Sequence, residues 1–359
     1  MQGANHEKYM QRCLQLARMA VGEVAPNPMV GAVLVYQSNI IGEGYHQHYG
    51  GPHAEVHCIN DALKSHAEKI AHSTLYVSLE PCAHFGKTPP CANLIIKHQI
   101  PDVVIGCRDS FDQVDGRGIE RLRKAGVKVT VGVLEKESLE LNKAFFTFHQ
   151  QKRPYVVLKW AQTEDRFMAG TGSERLLISN EYSKRLVHQW RSASSAILIG
   201  AQTAINDDPL LDNRHWFGKA PQKVIFDPLL KVPSMLKLFQ TGDVVIVLNT
   251  EKDAVSKNVI YVKMDKADMV PDAMRQLHQL NIQSIFVEGG QKVLQAFMEA
   301  DLWDEAFVIT NKDQILGTGL TAPVLKNQRK LHRQMLFNDE IIHFKNQNNS
   351  FIDAGSSLF

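Results

Sequence analysis

The sequence predicts two layered α/β domains joined near residue 150, and three observations carry that prediction. Short β-branched runs alternate with stretches of helical period along most of the chain, the pattern of helices packed on a largely parallel sheet. The 359 residues suffice for about two domains of ordinary size, each with its own core. A polar stretch closed by a proline, Gln150-Gln151-Lys152-Arg153-Pro154, separates one alternating series from the next. The division expected is therefore 1–150 and 151–359.

The first series opens with a helix carrying Tyr9, Cys13, Leu14, Leu16 and Met19 at helical spacing, then a strand over 30–35 and a second at Ile40-Ile41. Helices over 53–66, 91–98 and 118–125 alternate with strands over 74–79, 103–107 and 127–133, and a helix over 135–149 closes the domain. In the second series, strands are expected at 155–158, 196–199, 224–226, 244–248, 259–262, 284–287 and 306–309. No internal repeat is visible, and the polar residues from Asn346 onward are expected to fray.

Apolar residues make up 44% and charged residues 22%, which sets disordered and coiled-coil classes aside. The chain has 40 basic and 38 acidic residues, and residues 1–150 carry 15 of each, so neither half has the cationic excess of a nucleic-acid binder. A small substrate is the better expectation. Five cysteines (Cys13, Cys58, Cys82, Cys91, Cys107) are an odd number, which fits reduced thiols or metal ligands in the cytoplasm better than a disulfide framework. The first residues lack the basic and apolar regions of a signal peptide, and no stretch approaches the roughly 18 to 20 apolar residues of a membrane span. Ten of the 15 histidines fall in residues 1–150, which is where metal or proton chemistry is sought first.

There, His53-Ala54-Glu55 is followed by Pro81-Cys82 and Cys91, close to the zinc-deaminase signature in which the Glu is not a ligand. One imidazole and two thiolates hold zinc tetrahedrally with a fourth place for water, whose pKa falls from 15.7 toward roughly 7. A carboxylate beside the metal but free of it, Glu55, can then carry the proton to a ring nitrogen and on to departing ammonia. Residues two apart on a helix project about 200° apart, so the site belongs at a helix N-terminus, for which Pro52 is well placed. A His53/His57 pair of the metalloprotease kind fails on the position of the Glu. A closed structural site would need a fourth ligand from His57, Cys58 or His84, and buried cysteines without metal are the plain alternative; Cys13, Cys58 and Cys107 read as core. Eight residues separate Cys82 from Cys91 where the common motif has two, and they bring His84 and Lys87 to the rim, suiting a substrate phosphate.

The stretches Pro26-Asn27-Pro28-x-Val30-Gly31, Gly42-x-Gly44-x-His46, His53-Ala54-Glu55-Val56 and Leu79-Glu80-Pro81-Cys82, continuing to Thr88-Pro89-Pro90-Cys91, resemble the bifunctional riboflavin-biosynthesis deaminase/reductase family. The resemblance implies a cytidine-deaminase-like three-layer domain and a pyrimidine substrate bearing phosphoribosylamine. It also implies zinc on His53, Cys82 and Cys91, Glu55 as proton shuttle, and substrate contacts from Asn27, His46, His84 and Lys87.

By its residues alone, the second half lacks Gly-x-Gly-x-x-Gly and offers Glu288-Gly289-Gly290, between a strand and a helical run, as a possible phosphate cradle. The resemblance extends over it, to about residue 330, through Leu158-Lys159-x-Ala161, Trp190-Arg191, Gly200-x-x-Thr203, Asp207-Asp208-Pro209-x-Leu211-x-x-Arg214 and Glu288-Gly289-Gly290. This half is similar to a dihydrofolate-reductase-like domain. The similarity places Ala161, Thr203, Asp207, Gly289 and Gly290 against NADPH, and Lys159, Arg191, Leu211, Arg214 and Glu288 against the substrate, the two arginines suiting a phosphate. Two departures bear on the cofactor. Thr163-Glu164-Asp165-Arg166 stands where the family has Ser-Leu-Asp-Gly, and Leu177 where it often has Trp.

The expectation is a two-step enzyme working as a homo-oligomer on a small phosphorylated pyrimidine, without nucleic acid or membrane: zinc-dependent deamination, then NADPH-dependent reduction of ribosyl to ribityl. A nucleic-acid base deaminase with an accessory domain, and a deaminase with an inactive reductase half, are the alternatives.

Overall fold

The computed structural model describes residues 2–83, 89–109, 116–172 and 176–349. The chain divides into two compact units, Met1–Gln151 and Lys152–Phe359.

The first unit runs α1 (Gln2–Arg18), β1 (Gly31–Tyr36), β2 (Asn39–Tyr45), α2 (Ala54–Leu63), β3 (Thr74–Leu79), α3 (Cys91–Lys97), β4 (Asp102–Cys107), α4 (Arg117–Lys124), β5 (Lys128–Val131), α5 (Glu135–Leu141) and α6 (Lys143–Gln151). Its five strands lie in the order β2-β1-β3-β4-β5. The expectation of a largely parallel sheet needs correction here. β3, β4 and β5 are parallel, but β1 is antiparallel to both its neighbours. The cause is local: Gln37 and Ser38 form a two-residue turn with φ of 46° and 67°, the backbone of a tight hairpin.

Alternation along the strands fills two layers. Ala32, Leu34, Leu75, Val77, Val103 and Ile105 pack under α2, α3 and α4, while Val33, Val35, Tyr76 and Val104 meet Tyr9, Met10, Cys13 and Leu16 of α1. The expected helix over 135–149 is two helices. Asn142 breaks it by turning its carboxamide to Met29, accepting from the amide at 2.8 Å and donating to the carbonyl at 2.9 Å.

The second unit contains β6 (Tyr155–Thr163), β7 (Phe167–Ala169), α7 (Glu181–Ser192), β8 (Ala196–Gly200), α8 (Ala201–Asp207), β9 (Gln222–Phe226), α9 (Lys237–Gln240), β10 (Val245–Asn249), β11 (Ala254–Ser256), β12 (Val259–Lys263), α10 (Met269–Gln279), β13 (Ser284–Val287), α11 (Gln291–Glu299), β14 (Glu305–Asn311), β15 (Leu320–Thr321), β16 (Gln328–Leu336) and β17 (Asp339–Asn346). Ten strands form one sheet, ordered β11-β12-β10-β9-β8-β13-β6-β14-β17-β16 and parallel from β12 through β14. One face is covered by α10 and α11 and part of the other by α7, whose Val187 and Trp190 meet Phe286 and Phe307. A buried ion pair pins the start of β6, with Arg153 donating both Nη atoms to the Asp304 carboxylate at 2.7 Å. Among the described residues no helix is long and apolar enough to cross a membrane.

Candidate functional sites

The first site forms where two helices begin. His53 immediately precedes α2, Cys82 follows β3 and Cys91 opens α3. Strand β2 lies so close beneath α2 that a Cβ on Gly42 or Gly44 would fall 2.4 Å from the Cys58 backbone, which explains the glycine pair. His53 is extended (φ −74°, ψ 167°), so helical spacing does not constrain it. Its Nδ1 lies 3.6 Å from Cys82 Sγ and 3.3 Å from Cys91 Sγ. On a tetrahedron, Zn–N and Zn–S bonds of ordinary length set a nitrogen and a sulfur about 3.5 Å apart, so the three donors fit one zinc ion with a fourth position to spare. This is the one cluster of three or more such donors among the described residues.

The Cys91 amide donates to Cys82 Sγ at 3.3 Å. Hydrogen bonding from the Cys91 thiol, with help from His53, outweighs burial and holds the Cys82 thiol well below the ordinary thiol range. Glu55, in the first turn of α2, is only 3% exposed. Burial pushes its carboxyl up, with His53 opposing. Cys58, considered as a fourth ligand, is buried with its thiol donating to the Gly42 carbonyl at 3.3 Å.

His46 follows β2 and is held at both ring nitrogens, Nδ1 donating to the Pro52 carbonyl at 2.9 Å and Nε2 accepting from Asn27 Nδ2 at 3.0 Å. Burial lowers its pKa and keeps it neutral. Its ring meets that of His53 edge-on at 5.4 Å. His84 and Lys87 lie outside the described residues. Glu80, two residues before Cys82, has a positioning role that the motif alone does not reveal: its carboxylate accepts from the amides of Asp109, Gly116, Gly118 and Ile119 at 3.0–3.3 Å. It fixes the start of α4 against the strand end that delivers Cys82.

The second site lies at the carboxyl ends of β6, β8 and β13, where open parallel sheets bind ligands. β6 brings Lys159 and Ala161, α8 after β8 brings Thr203 and Asp207, and the turn after β13 brings Glu288, Gly289 and Gly290. A Cβ on Gly290 would stand 2.8 Å from Thr203 Oγ1, so a side chain here would force the Thr203 hydroxyl to move. That cradle, at the start of the nine-residue α11, is a fit for a cofactor phosphate.

Beside it, Glu288 sits between two cations. Arg191 Nη2 donates to Glu288 Oε2 at 3.0 Å and Lys159 Nζ lies 3.6 Å from the same oxygen. Burial pushes the Glu288 carboxyl up, but Arg191 and Lys159 more than offset it and hold it at about 2. Arg191 Nη1 donates to the Asp212 carbonyl, and Arg214, 54% exposed, pairs with the Asp212 carboxylate at 2.5 Å. Leu211 is buried with φ 54° and packs with Ile197, Ile199, Ile225 and Leu238. At the departures, Arg166 carries φ 65° in the turn after β6 where a glycine would be unstrained, and Leu177 is 57% exposed.

Residues 154–336 match the family described as RibD C-terminal domain, and residues 4–107 match the cytidine and deoxycytidylate deaminase zinc-binding region. The riboflavin biosynthesis protein RibD of Aquifex aeolicus is 39% identical over 322 residues, 88% of this chain and 89% of that protein. The Escherichia coli protein of the same name is 35% identical over 84% of this chain and 86% of its own length. Among solved structures, a diaminohydroxyphosphoribosylaminopyrimidine deaminase/5-amino-6-(5-phosphoribosylamino)uracil reductase from Thermotoga maritima superposes with a TM-score of 0.88 at 35% identity, covering 96% of this chain and all of that one.

Proposed function

The chain belongs to the RibD family, bifunctional deaminase/reductases of riboflavin biosynthesis that use zinc and NADPH, and from that premise we propose which residues do each part of the work. We assign deamination to residues 1–150 and reduction to 151–359. The observation that carries the first assignment is the convergence of His53, Cys82 and Cys91 beside a buried carboxyl that is not one of the donors.

In the deaminase half, His53 Nδ1, Cys82 Sγ and Cys91 Sγ hold zinc. Zinc bound there supplies a water acidic enough to act as a nucleophile near neutral pH. Glu55 would take a proton from the attacking water and give it to the ring nitrogen of the pyrimidine, then take the hydroxyl proton of the resulting tetrahedral carbon and give it to the amine that leaves as ammonia. Its raised pKa suits a group that must both accept and return a proton. Neutral His46 orients Asn27 for substrate contact, and the family resemblance gives His84 and Lys87 substrate contacts as well.

In the reductase half, Thr203, Asp207, Gly289 and Gly290 hold NADPH with Ala161 against it, and the cofactor supplies hydride to C1 of the opened ribose. Lys159, Arg191, Leu211, Arg214 and Glu288 line the substrate side, the two arginines at its phosphate. Ion pairing to Glu288 keeps Arg191 and Lys159 in fixed positions before substrate arrives, which lowers the ordering cost of binding.

The five cysteines are free, in keeping with a cytoplasmic enzyme. Met335 at the end of β16 and Phe337 just after it are 52% and 69% exposed, an apolar pair suited to a homo-oligomer contact. Purified protein given the phosphoribosylamino-diaminopyrimidine should release ammonia without NADPH and form the ribitylamino product only with it. Ammonia release with no NADPH oxidation would confine the function to the first half.

A further inference from the structure

His188 has no part in the assignments above, yet it is built into the second site. It lies one turn before Arg191 on α7, on the same helix face. The segment Asp212–His215 crosses that face: Arg191 donates to the Asp212 carbonyl at 3.1 Å, and the rings of His188 and His215 meet edge-on at 4.7 Å. His188 is 5% exposed, and its Nδ1 is buried without a hydrogen-bond partner among the described residues. A buried ring nitrogen left unpaired costs stability, so such an atom calls for a partner, a water or a ligand, and beside Arg191 it stands where a ligand is expected.

The surroundings indicate what kind of ligand. Arg191 spends Nε and Nη2 on Glu288 and one Nη1 hydrogen on the Asp212 carbonyl, leaving two of its five N–H groups. Arg214 is tied to Asp212 on its other side. Two guanidinium groups and two imidazoles thus lie along the Asp212–His215 segment, where Arg214 pairs with the Asp212 carboxylate, while Glu288 is already neutralised by Arg191 and Lys159. An anion with several acceptor oxygens is the ligand that such leftover donors suit. Burial first, then Arg191, His215 and Arg214, with Glu288 opposing, keep His188 neutral. It therefore offers one N–H and adds no further repulsion to the arginine pair.

We propose that His188 is a binding residue for the substrate phosphate in the reductase half, its Nδ1–H donating to a phosphate oxygen beside Arg191 and Arg214. This rests on the phosphate role given to those arginines above.

The test uses the full chain with zinc and NADPH, and two substrates: the deaminated intermediate and the same compound without its phosphate. His188→Leu should raise KM for the phosphorylated substrate about tenfold with kcat changed by less than about threefold, since the contact is made in ground and transition states alike. His188→Asn, which restores an N–H donor near the same place, should recover most of that loss. On the dephosphorylated compound all three proteins should be alike. Two results would overturn the proposal: a KM penalty of equal size on both compounds, or variants indistinguishable from wild type on the phosphorylated one. Arg191→Ala and Arg214→Ala run alongside, and if they show no preference for losing the phosphorylated substrate, it is the underlying phosphate assignment that fails. Circular dichroism and ammonia release by the same variants separate a folding defect from a lost contact.

Discussion

Glu55 and the three metal donors differ in what a substitution removes. Glu55→Gln keeps the shape and burial of the side chain but cannot shuttle a proton, so zinc content should stay near one per chain while deamination falls about 10²-fold or more. Cys91→Ala removes a donor and should empty the site, whereas Cys58→Ala, whose thiol serves the Gly42 carbonyl, should retain zinc. Metal analysis of the three variants decides the assignment, and the reverse pattern for the two cysteines would overturn it. In the other half the informative residue is Glu288. Its carboxyl is held at about 2 against an ordinary 4.5, so the ionised form stabilises the fold above about pH 4.5 and that contribution fades as pH falls through 2. The difference corresponds to roughly 3 kcal/mol. Glu288→Gln strands two buried cations and should cost about 3–5 kcal/mol at pH 6. The gap between variant and wild type, followed by urea unfolding, should shrink by most of that amount between pH 4.5 and pH 2; a gap independent of pH would contradict the ion-pair account.

At the scale of elements, the turn after β6 and the segment before α7 hold Arg166 and Leu177, the two positions read from sequence as departures from the family it resembles. Arg166 holds φ 65°, a conformation costing a side-chain-bearing residue roughly 1–2 kcal/mol, against about 0.5–1 kcal/mol of extra backbone entropy for glycine. Arg166→Gly should therefore raise the melting temperature only slightly. Leu177→Trp replaces an exposed aliphatic side chain with an aromatic face and should tighten NADPH several-fold in a fluorescence titration, with kcat little changed. An unchanged Kd would place Leu177 away from the cofactor. The elements legible from sequence are those with apolar runs: β3 and β13 fall on the residues expected, and His53, Cys82 and Cys91 were readable because metal-ligand chemistry restricts residue type and order. What periodicity could not reveal follows from tertiary demands. β17 buries Asp339, Glu340, His343, Lys345 and Asn346, so its inner positions do not read as apolar, and β16 is a charged edge strand. Asn142 looked like one more helical residue until its partner, Met29, was in view. His188 carried no motif; only burial and an unpaired Nδ1 single it out.

On the scale of the whole molecule, the chain folds as two compact units, and the assignment proposed above gives each its own chemistry, residues and cofactor. Stripping zinc with a chelator should abolish ammonia release while the same sample still oxidises NADPH when given the deaminated intermediate. The converse experiment uses the arginines. Arg214 is half-exposed and, among the described residues, pairs with the partly exposed Asp212, so Arg214→Ala should leave folding almost untouched. Arg191 is buried against Glu288, and Arg191→Ala should cost stability as well as substrate affinity. Losing either phosphate contact should raise KM for reduction more than it lowers kcat, because the contact is present in both ground and transition states. Ammonia release should stay at the wild-type rate in Arg214→Ala and, at temperatures where it remains folded, in Arg191→Ala. A fall in deamination in parallel with reduction, in protein shown by calorimetry to be folded, would mean that the two halves are coupled and that neither activity can be assigned to one half alone.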